Sequence, residues 1–265
     1  MAINGHMKKL RVGLMPYLNS EVFYRNLPAE GTELVSLPPR AMAAAVERGE
    51  LDAGPLPLAE VLRLGDLLRP VGDFCIATSG RVKSVLLLSK LPVSQLGGRP
   101  VAVTSHTATS IQLLRVLFAE RWHVEPGSYV EMDEPHEAKL IIGDEALRHR
   151  NDHPGYSHVY DLGEEWQGLT GLPFVFAVWA IRTESGAEAA ARLALGLERS
   201  IDTSLAQVDA IARERKTSYL AEAEVAEYVR SFTYRLGPDE RRAIEEFKVR
   251  LSRLPVWRPG LVRQA

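Results

Sequence analysis

Cysteine is almost missing: Cys75 is the single one in 265 residues. That excludes an intrachain disulfide and any zinc cluster built on cysteines, and it fits a reducing compartment. No run of about 18 apolar residues exists, so no transmembrane helix and no membrane partner are expected. An excess of one charge is lacking too. Lys and Arg number 32 against 34 Asp and Glu, a net charge of -2, which excludes a strongly basic nucleic-acid binder. Aromatic residues are sparse at 7%, yet apolar residues reach 46%, enough to fill a core and to exclude intrinsic disorder. P-loop, Rossmann, nucleophile-elbow, HExxH and EF-hand patterns are all absent.

The first residues, Met1 to Met7, have neither a charged start nor an apolar stretch, so no signal peptide is expected. Gly5-His6-Met7 reads as an expression-tag remnant. Residues 1–6 are set aside, and a cytoplasmic location is expected.

What is present is an alternation of apolar runs and helical stretches. Leu10–Leu14 reads as a strand closed by Met15-Pro16-Tyr17-Leu18-Asn19-Ser20. Thr32–Leu37 reads as a strand, Arg40–Arg48 as an Ala-rich helix stopped by Gly49, Leu51–Gly54 as a strand and Leu58–Leu64 as a helix. Val82–Ser89, Pro100–Val103, Ala138–Gly143 and Pro173–Ile181 read as further strands, with a helix over Ile111–Ala119. Asp144–Leu147 reads as a turn and His149–His158 as a polar loop. From Glu184 onward the pattern predicts only helices: Ala187–Ala212, Glu222–Phe232 and Asp239–Leu251. An α/β class follows. Two lobes are expected: residues 7–90 with 182–265, and residues 91–181, joined by two strands acting as a hinge.

Candidate ligand residues lie in polar turns after strands, where open α/β sheets bind ligands. Thr104-Ser105-His106-Thr107-Ala108-Thr109-Ser110 offers more hydroxyls than one helix cap needs, which suits an anion. Histidine is the side chain suited to proton transfer near neutrality, so His106 is a candidate base, although a solvated role explains it as well. Asn19 can donate and accept at once, or simply cap the next segment. Tyr17 and Ser20 share its turn. Gly54 brings a bare backbone to a strand end, as a plain turn also would. Ser84 is a hydroxyl in an apolar strand, facing the cleft or its opposite side. Asp144 is a candidate base or a helix cap. His149, His153 and His158 sit in a polar loop without helical register, so no metal site is expected. Trp166, Phe174, Phe176 and Trp179 read as core.

The order of several motifs is more specific than any one of them. Pro16-Tyr17-Leu18-Asn19-Ser20, Gly49–Gly54, Ser84-Val85 before a leucine run, Thr104–Ser110, Ile142–Leu147, Asp161–Trp166 and Thr170–Phe174 follow one another. This sequence resembles the chorismate dehydratase family of the futalosine route to menaquinone, from Lys8 to about Trp257. One departure is Glu21-Val22, where a more apolar, proline-containing continuation is expected.

The resemblance implies a type II periplasmic-binding-protein-like fold, two α/β lobes closing on a ligand. It implies a carbon–oxygen lyase, a hydro-lyase that removes water from chorismate to give 3-[(1-carboxyvinyl)oxy]benzoate, with no cofactor. It implies that Asn19 and Ser84 lie in the active site. On that reading Asn19 and Ser84 bond substrate hydroxyl or carboxylate groups, and Ser105, Thr107 and Thr109 hold the other carboxylate. Tyr17, Ser20 and Gly54 complete the substrate contacts. His106, Asp144 and the substrate's own side-chain carboxylate are the candidate proton acceptors. The partner is a small molecule, and a homodimer is allowed.

The alternatives are 1,4-dihydroxy-6-naphthoate synthase of the same pathway and a non-catalytic solute-binding protein for small anions. The synthase's first turn is expected to read Ser-Pro-Cys-Pro-Asn, against Met15-Pro16-Tyr17-Leu18-Asn19 here. A ligand-sensing domain of a transcription regulator is a weaker option, because no helix-turn-helix fits the short start.

Overall fold

The structure is a computed structural model describing residues 9–255, so the expected tag remnant at 1–6 lies outside the described residues. Eleven strands among the described residues form two mixed sheets. In chain order they are β1 (Leu10–Leu14), β2 (Thr32–Ser36), β3 (Ala53–Pro57), β4 (Leu68–Thr78), β5 (Val85–Ser89), β6 (Pro100–Val103), β7 (Ser128–Val130), β8 (Ala138–Ile142), β9 (His158–Asp161), β10 (Phe174–Arg182) and β11 (Phe232–Arg235). The first sheet has the order β11-β4-β10-β3-β1-β2, and the second β7-β6-β8-β5-β9. The helices are α1 (Glu21–Tyr24), α2 (Pro39–Glu47), α3 (Leu58–Leu64), α4 (Thr109–Leu117), α5 (Gly143–His149), α6 (Leu162–Thr170), α7 (Gly186–Ala206), α8 (Val208–Arg215), α9 (Glu222–Arg230) and α10 (Pro238–Arg253).

The sheets correct the expected lobe limits. Val85–Ser89 pairs with β8 and β9 in the second sheet, not with the first. Phe174–Arg182 pairs with β3 and β4 in the first. The chain therefore crosses between sheets at 79–84 and again through α6 and 171–173. Neither crossing is a strand, so the expected two-strand hinge is replaced by a loop and a helix. One carboxylate ties the two together. Asp161 caps α6 through the amides of Gly163 and Glu164, at 3.0 and 3.2 Å. It also accepts from the amides of Val82 and Lys83, at 3.0 and 2.7 Å. A Cβ on Gly163 would stand 2.4 Å from the carbonyl oxygen of Gly80, so only glycine lets the crossings approach this closely.

Other expectations also change. An all-helical C-terminal part is wrong, because Phe232–Arg235 forms β11 against β4. Phe232 and Tyr234 point inward there at a period of two, which ends the expected helix early. Asp144–Leu147 is the start of a helix rather than a turn. The expected helix over 187–212 breaks at Gln207. The expected strand at 82 begins only at Val85, because Lys83 takes a left-handed φ of 62°.

The core runs through both sheets. Trp166 of α6 meets Phe174 edge-on at 5.2 Å and Phe247 of α10 at 5.9 Å. The last helix thus packs on the second crossing and on β10. In β3, a central strand, Pro55 and Pro57 have no N–H to donate. Its pairing with β1 is confined to Val12 and Ala53, while β10 pairs along its whole length.

Candidate active site

A cleft with about 510 Å³ of empty space lies where β1, β3, β6 and β8 end. Much of that space is open to solvent. Its walls are mostly apolar: Met15, Pro39, Pro57, Ile76, Val82 and Phe176 are among them. None of the described residues lining it is Lys, Arg, Asp, Glu or His. A bound anion therefore meets hydroxyls and amides rather than opposite charge.

The turn after β1 is fixed from behind. Ser20 is fully buried, and its one hydroxyl proton is shared between the carbonyls of Met15 and Tyr17, each 2.7 Å from its Oγ. The Tyr24 hydroxyl accepts from the Met15 amide at 3.0 Å and donates to the Gly13 carbonyl at 2.9 Å. Asn19 is left lining the cleft, with a buried Oδ1 that has no hydrogen-bond partner among the described residues. A buried acceptor without a partner is destabilising by about 1–3 kcal/mol, so it is the kind of feature a ligand resolves.

Tyr17 reaches across the cleft to the other lobe. Its ring lies over Gly143, where a Cβ would stand 2.7 Å from Cε1. Gly143 also has a φ of 62°, so the position favours glycine twice over. Burial first, then the charges of Asp144 and Glu145, push the Tyr17 phenol up to about 12. It stays protonated at neutral pH.

The hydroxyl-rich turn divides. Thr107 is buried and lines the cleft, with an Oγ1 that has no partner among the described residues. Thr109 lines the cleft as well, yet its Oγ1 accepts from the Ala59 amide of α3 at 3.2 Å. It caps a helix of the opposite lobe. Ser105 and His106 are exposed and do not line the cleft.

Ser84 sits on the first crossing, just before β5, and is 1% exposed. The Tyr228 hydroxyl donates to its Oγ at 2.8 Å, and its own hydroxyl lies 3.3 Å from the Val82 carbonyl. Its backbone carbonyl accepts from the Gly143 amide at 2.8 Å.

Five expected residues thus come together: Tyr17, Asn19, Ser84, Thr107 and Thr109. Five do not. Ser20 turns into the loop behind the site. Gly54 lies under Met42, whose Sδ is 2.8 Å from where a Cβ would stand, so its role is packing. Ser105 and His106 face solvent. Asp144 lines a second cavity with Leu18 and Arg215 on the far side of the 17–19 turn, where burial pushes its carboxyl above the ordinary range. Phe176, read as core, lines the cleft, while Trp166, Phe174 and Trp179 are buried. Ser110, named in the sequence only as the end of the hydroxyl-rich turn, lines the cleft, and sequence reasoning missed Tyr228 behind Ser84. Ser110 belongs to the hydroxyl-rich turn and was within reach; Tyr228, on the distant α9, left no local signal.

A family described as menaquinone biosynthesis matches this chain over residues 10–253. The chain is 28% identical over 261 residues to the chorismate dehydratase of Thermus thermophilus, covering 91% of this chain and 94% of that protein. It is 30% identical over 229 residues to the 1,4-dihydroxy-6-naphtoate synthase of Streptomyces coelicolor, covering 78% of this chain and 77% of that one. Among solved structures, a protein of Archaeoglobus fulgidus superposes with a TM-score of 0.75 at 19% identity, covering 93% of this chain and 98% of that chain. A Candida albicans protein described as exhibiting the generic periplasmic binding protein fold gives 0.58 at 10% identity, covering 91% and 90%. The expected periplasmic-binding-protein-like fold is therefore the fold found. No helix among the described residues is long and apolar enough to cross a membrane.

Proposed function

The chain belongs to the menaquinone biosynthesis family, and from that premise we propose that its cleft removes water from chorismate to give 3-[(1-carboxyvinyl)oxy]benzoate. It would then be a carbon–oxygen lyase. The observation that supports this best is Asn19, presenting an unpartnered buried amide oxygen in a mostly apolar cleft that also holds Ser84. The relative named for this reaction also matches nearly the whole chain.

The reaction breaks the C3–H and C4–O bonds of chorismate and leaves their electron pairs as an aromatic ring and a departing hydroxide. The C3 proton ends on that hydroxide, and water leaves. Asn19 and Ser84 hold the C4 hydroxyl and the nearer carboxylate by hydrogen bonds. Thr107, with Ser110 and the first amides of α4, takes the other carboxylate. Positioning of this kind is worth up to about 7–11 kcal/mol of barrier. The proton acceptor is the substrate's own side-chain carboxylate, since Tyr17 remains protonated and the described lining residues supply no carboxylate or imidazole. The apolar walls keep water from that carboxylate and so keep it basic.

Two variants check the choice of base. His106→Ala and Asp144→Asn are each expected to keep kcat within about threefold of wild type, where loss of a true general base removes about 10²–10⁴-fold. A loss of a hundredfold in either at unchanged melting temperature gives the base back to that residue.

The proposal itself is tested with purified protein and chorismate, following the diene absorbance and weighing the product. Loss of one water with an aromatic product and no added metal is the expected result. Unchanged chorismate with folded protein overturns it. The 30% identity to the naphthoate synthase supports a second reading, that the same cleft acts on that enzyme's substrate. A thermal shift with chorismate but no turnover points to a binding protein instead.

A further inference from the structure

The side chain of Tyr228 on α9 reaches a polar group of the cleft named above. It is 1% exposed, and Phe232 holds its ring edge-on at 5.0 Å. Burial pushes its phenol far above the ordinary value, so its oxygen stays protonated at any working pH. The single proton it carries is donated to Ser84 Oγ at 2.8 Å, a normal O–H···O length. Ser84's own proton is held less well. Its nearest acceptor, the Val82 carbonyl, is 3.3 Å away, longer than the usual range of about 2.5–3.0 Å.

A serine hydroxyl has one proton and two lone pairs. With one lone pair taken by Tyr228 and only a long bond to Val82, the Ser84 proton is the one left for a ligand oxygen in the cleft. Donation by Tyr228 also polarises the Ser84 O–H bond, and chains of hydrogen bonds strengthen in this way in low dielectric. The ring of Tyr228 alone would fill the same space, so the hydroxyl is the part that matters.

We propose that Tyr228 is a positioning residue: its hydroxyl fixes Ser84 as a hydrogen-bond donor to the leaving C4 hydroxyl of the bound substrate. This rests on the reading of the cleft as a chorismate dehydratase site. The leaving oxygen gains negative charge as its bond to C4 breaks, and a donor aimed at it acts mainly in the transition state. Tyr228 never touches the substrate. Its effect passes through Ser84.

The test is a double-variant cycle on the full chain with chorismate as substrate. Tyr228→Phe keeps the ring and removes only the hydroxyl. It is expected to lower kcat by about tenfold with KM within about twofold, since one hydrogen bond acting in the transition state is lost. In a Ser84→Ala background the same change is expected to have no further effect, because its route to the substrate is already cut. A purely structural role would lower the melting temperature, leave kcat per folded molecule intact and give multiplicative losses in the double variant. A wild-type kcat in Tyr228→Phe, or multiplicative losses, overturns the proposal. If Tyr228→Phe does not fold, Tyr228→3-fluorotyrosine keeps the bond and makes the donor stronger. A raised kcat then supports the proposal, and an unchanged one overturns it. Wild-type protein that leaves chorismate intact overturns the dehydratase reading and this assignment with it. With wild-type turnover in hand, the variants bear on Tyr228 alone.

Discussion

Asn19→Asp is expected to lower kcat/KM for chorismate by about 10²–10³-fold, the loss typical of removing one preorganised donor to developing charge. The two side chains have nearly the same shape, so the change is electrical. Asn19 offers an N–H₂ group and a carbonyl oxygen; aspartate offers two acceptors and a negative charge. Chorismate brings two carboxylates into a cleft whose described lining holds no cation to offset a third. The donated bond is lost, and a repulsion is added in a partly water-free space where charges are poorly screened.

Folding should respond less than activity, since no contact of the fold is lost and the cost is that of burying the new charge. The turn is held by Ser20 and Tyr24, not by the Asn19 side chain, whose oxygen has no partner among the described residues. A side chain that contributes to binding and not to the fold is the pattern expected where activity takes precedence over stability. The measurement is steady-state kinetics beside a melting curve. A drop below about fivefold, or one matched by a melting-temperature fall of more than about 4 °C, would remove Asn19 from the chemistry.

Why some of this was legible in the sequence, and some not, follows from how local each signal is. Leu10–Leu14 and Val85–Ser89 are short apolar runs between breakers, and buried strands read that way. β4 is eleven residues long yet went unread, because Pro70 and Gly72 interrupt it and both residues ordinarily mark loops. The sheet tolerates them at an irregularity, where the register against β10 shifts between Val178 and Ala180. β11 is only four residues long, too short for an alternating pattern to outweigh the helices on either side. The lobe limits were misplaced because nothing in the Leu-rich run of β5 says which sheet it will join. That is decided by the pairing of Leu86 and Leu87 with β8 and β9.

The candidate site was legible as a set of turns but not as a set of side chains. Composition marks 104–110 as rich in hydroxyls, and the cleft is indeed lined from it. Which hydroxyls face inward depends on the course of the turn, which composition does not encode. Ser105 goes to solvent, Thr107 to the cleft, and Thr109 to the amide of Ala59 in the other lobe. Gly54 looked like a place for close ligand approach; close approach does occur, but by Met42. Tyr228 lies 144 residues from Ser84, and only the folded chain brings them together.

The largest expected effect on folding belongs to Asp161→Ala, which should lower stability by about 3–6 kcal/mol. Four backbone amides converge on this carboxylate: Val82, Lys83, Gly163 and Glu164. Two of those bonds, to Val82 and Gly163, are buried. A buried donor left without a partner loses about 1–3 kcal/mol, and loss of a helix cap about 1 more. Lys83 is held at a φ of 62°, a conformation disfavoured for a residue with a side chain, and the Asp161 bond is what fixes its amide there. For a protein stable by about 5–15 kcal/mol this is a large share.

Asp161→Asn should fall between the two. Its oxygen can still accept from Val82, Gly163 and Glu164, which all bond Oδ1, but its N–H₂ group then faces the Lys83 amide, donor against donor. Urea unfolding of the three proteins gives the order directly, and a loss below about 1 kcal/mol in Asp161→Ala would show that the crossings are held by other contacts. The clasp also bears on the site, because Ser84 follows Lys83 in the chain. When Asp161 lets go, the first crossing relaxes, Ser84 loses its place between Tyr228 and the cleft, and turnover should fall before the protein unfolds.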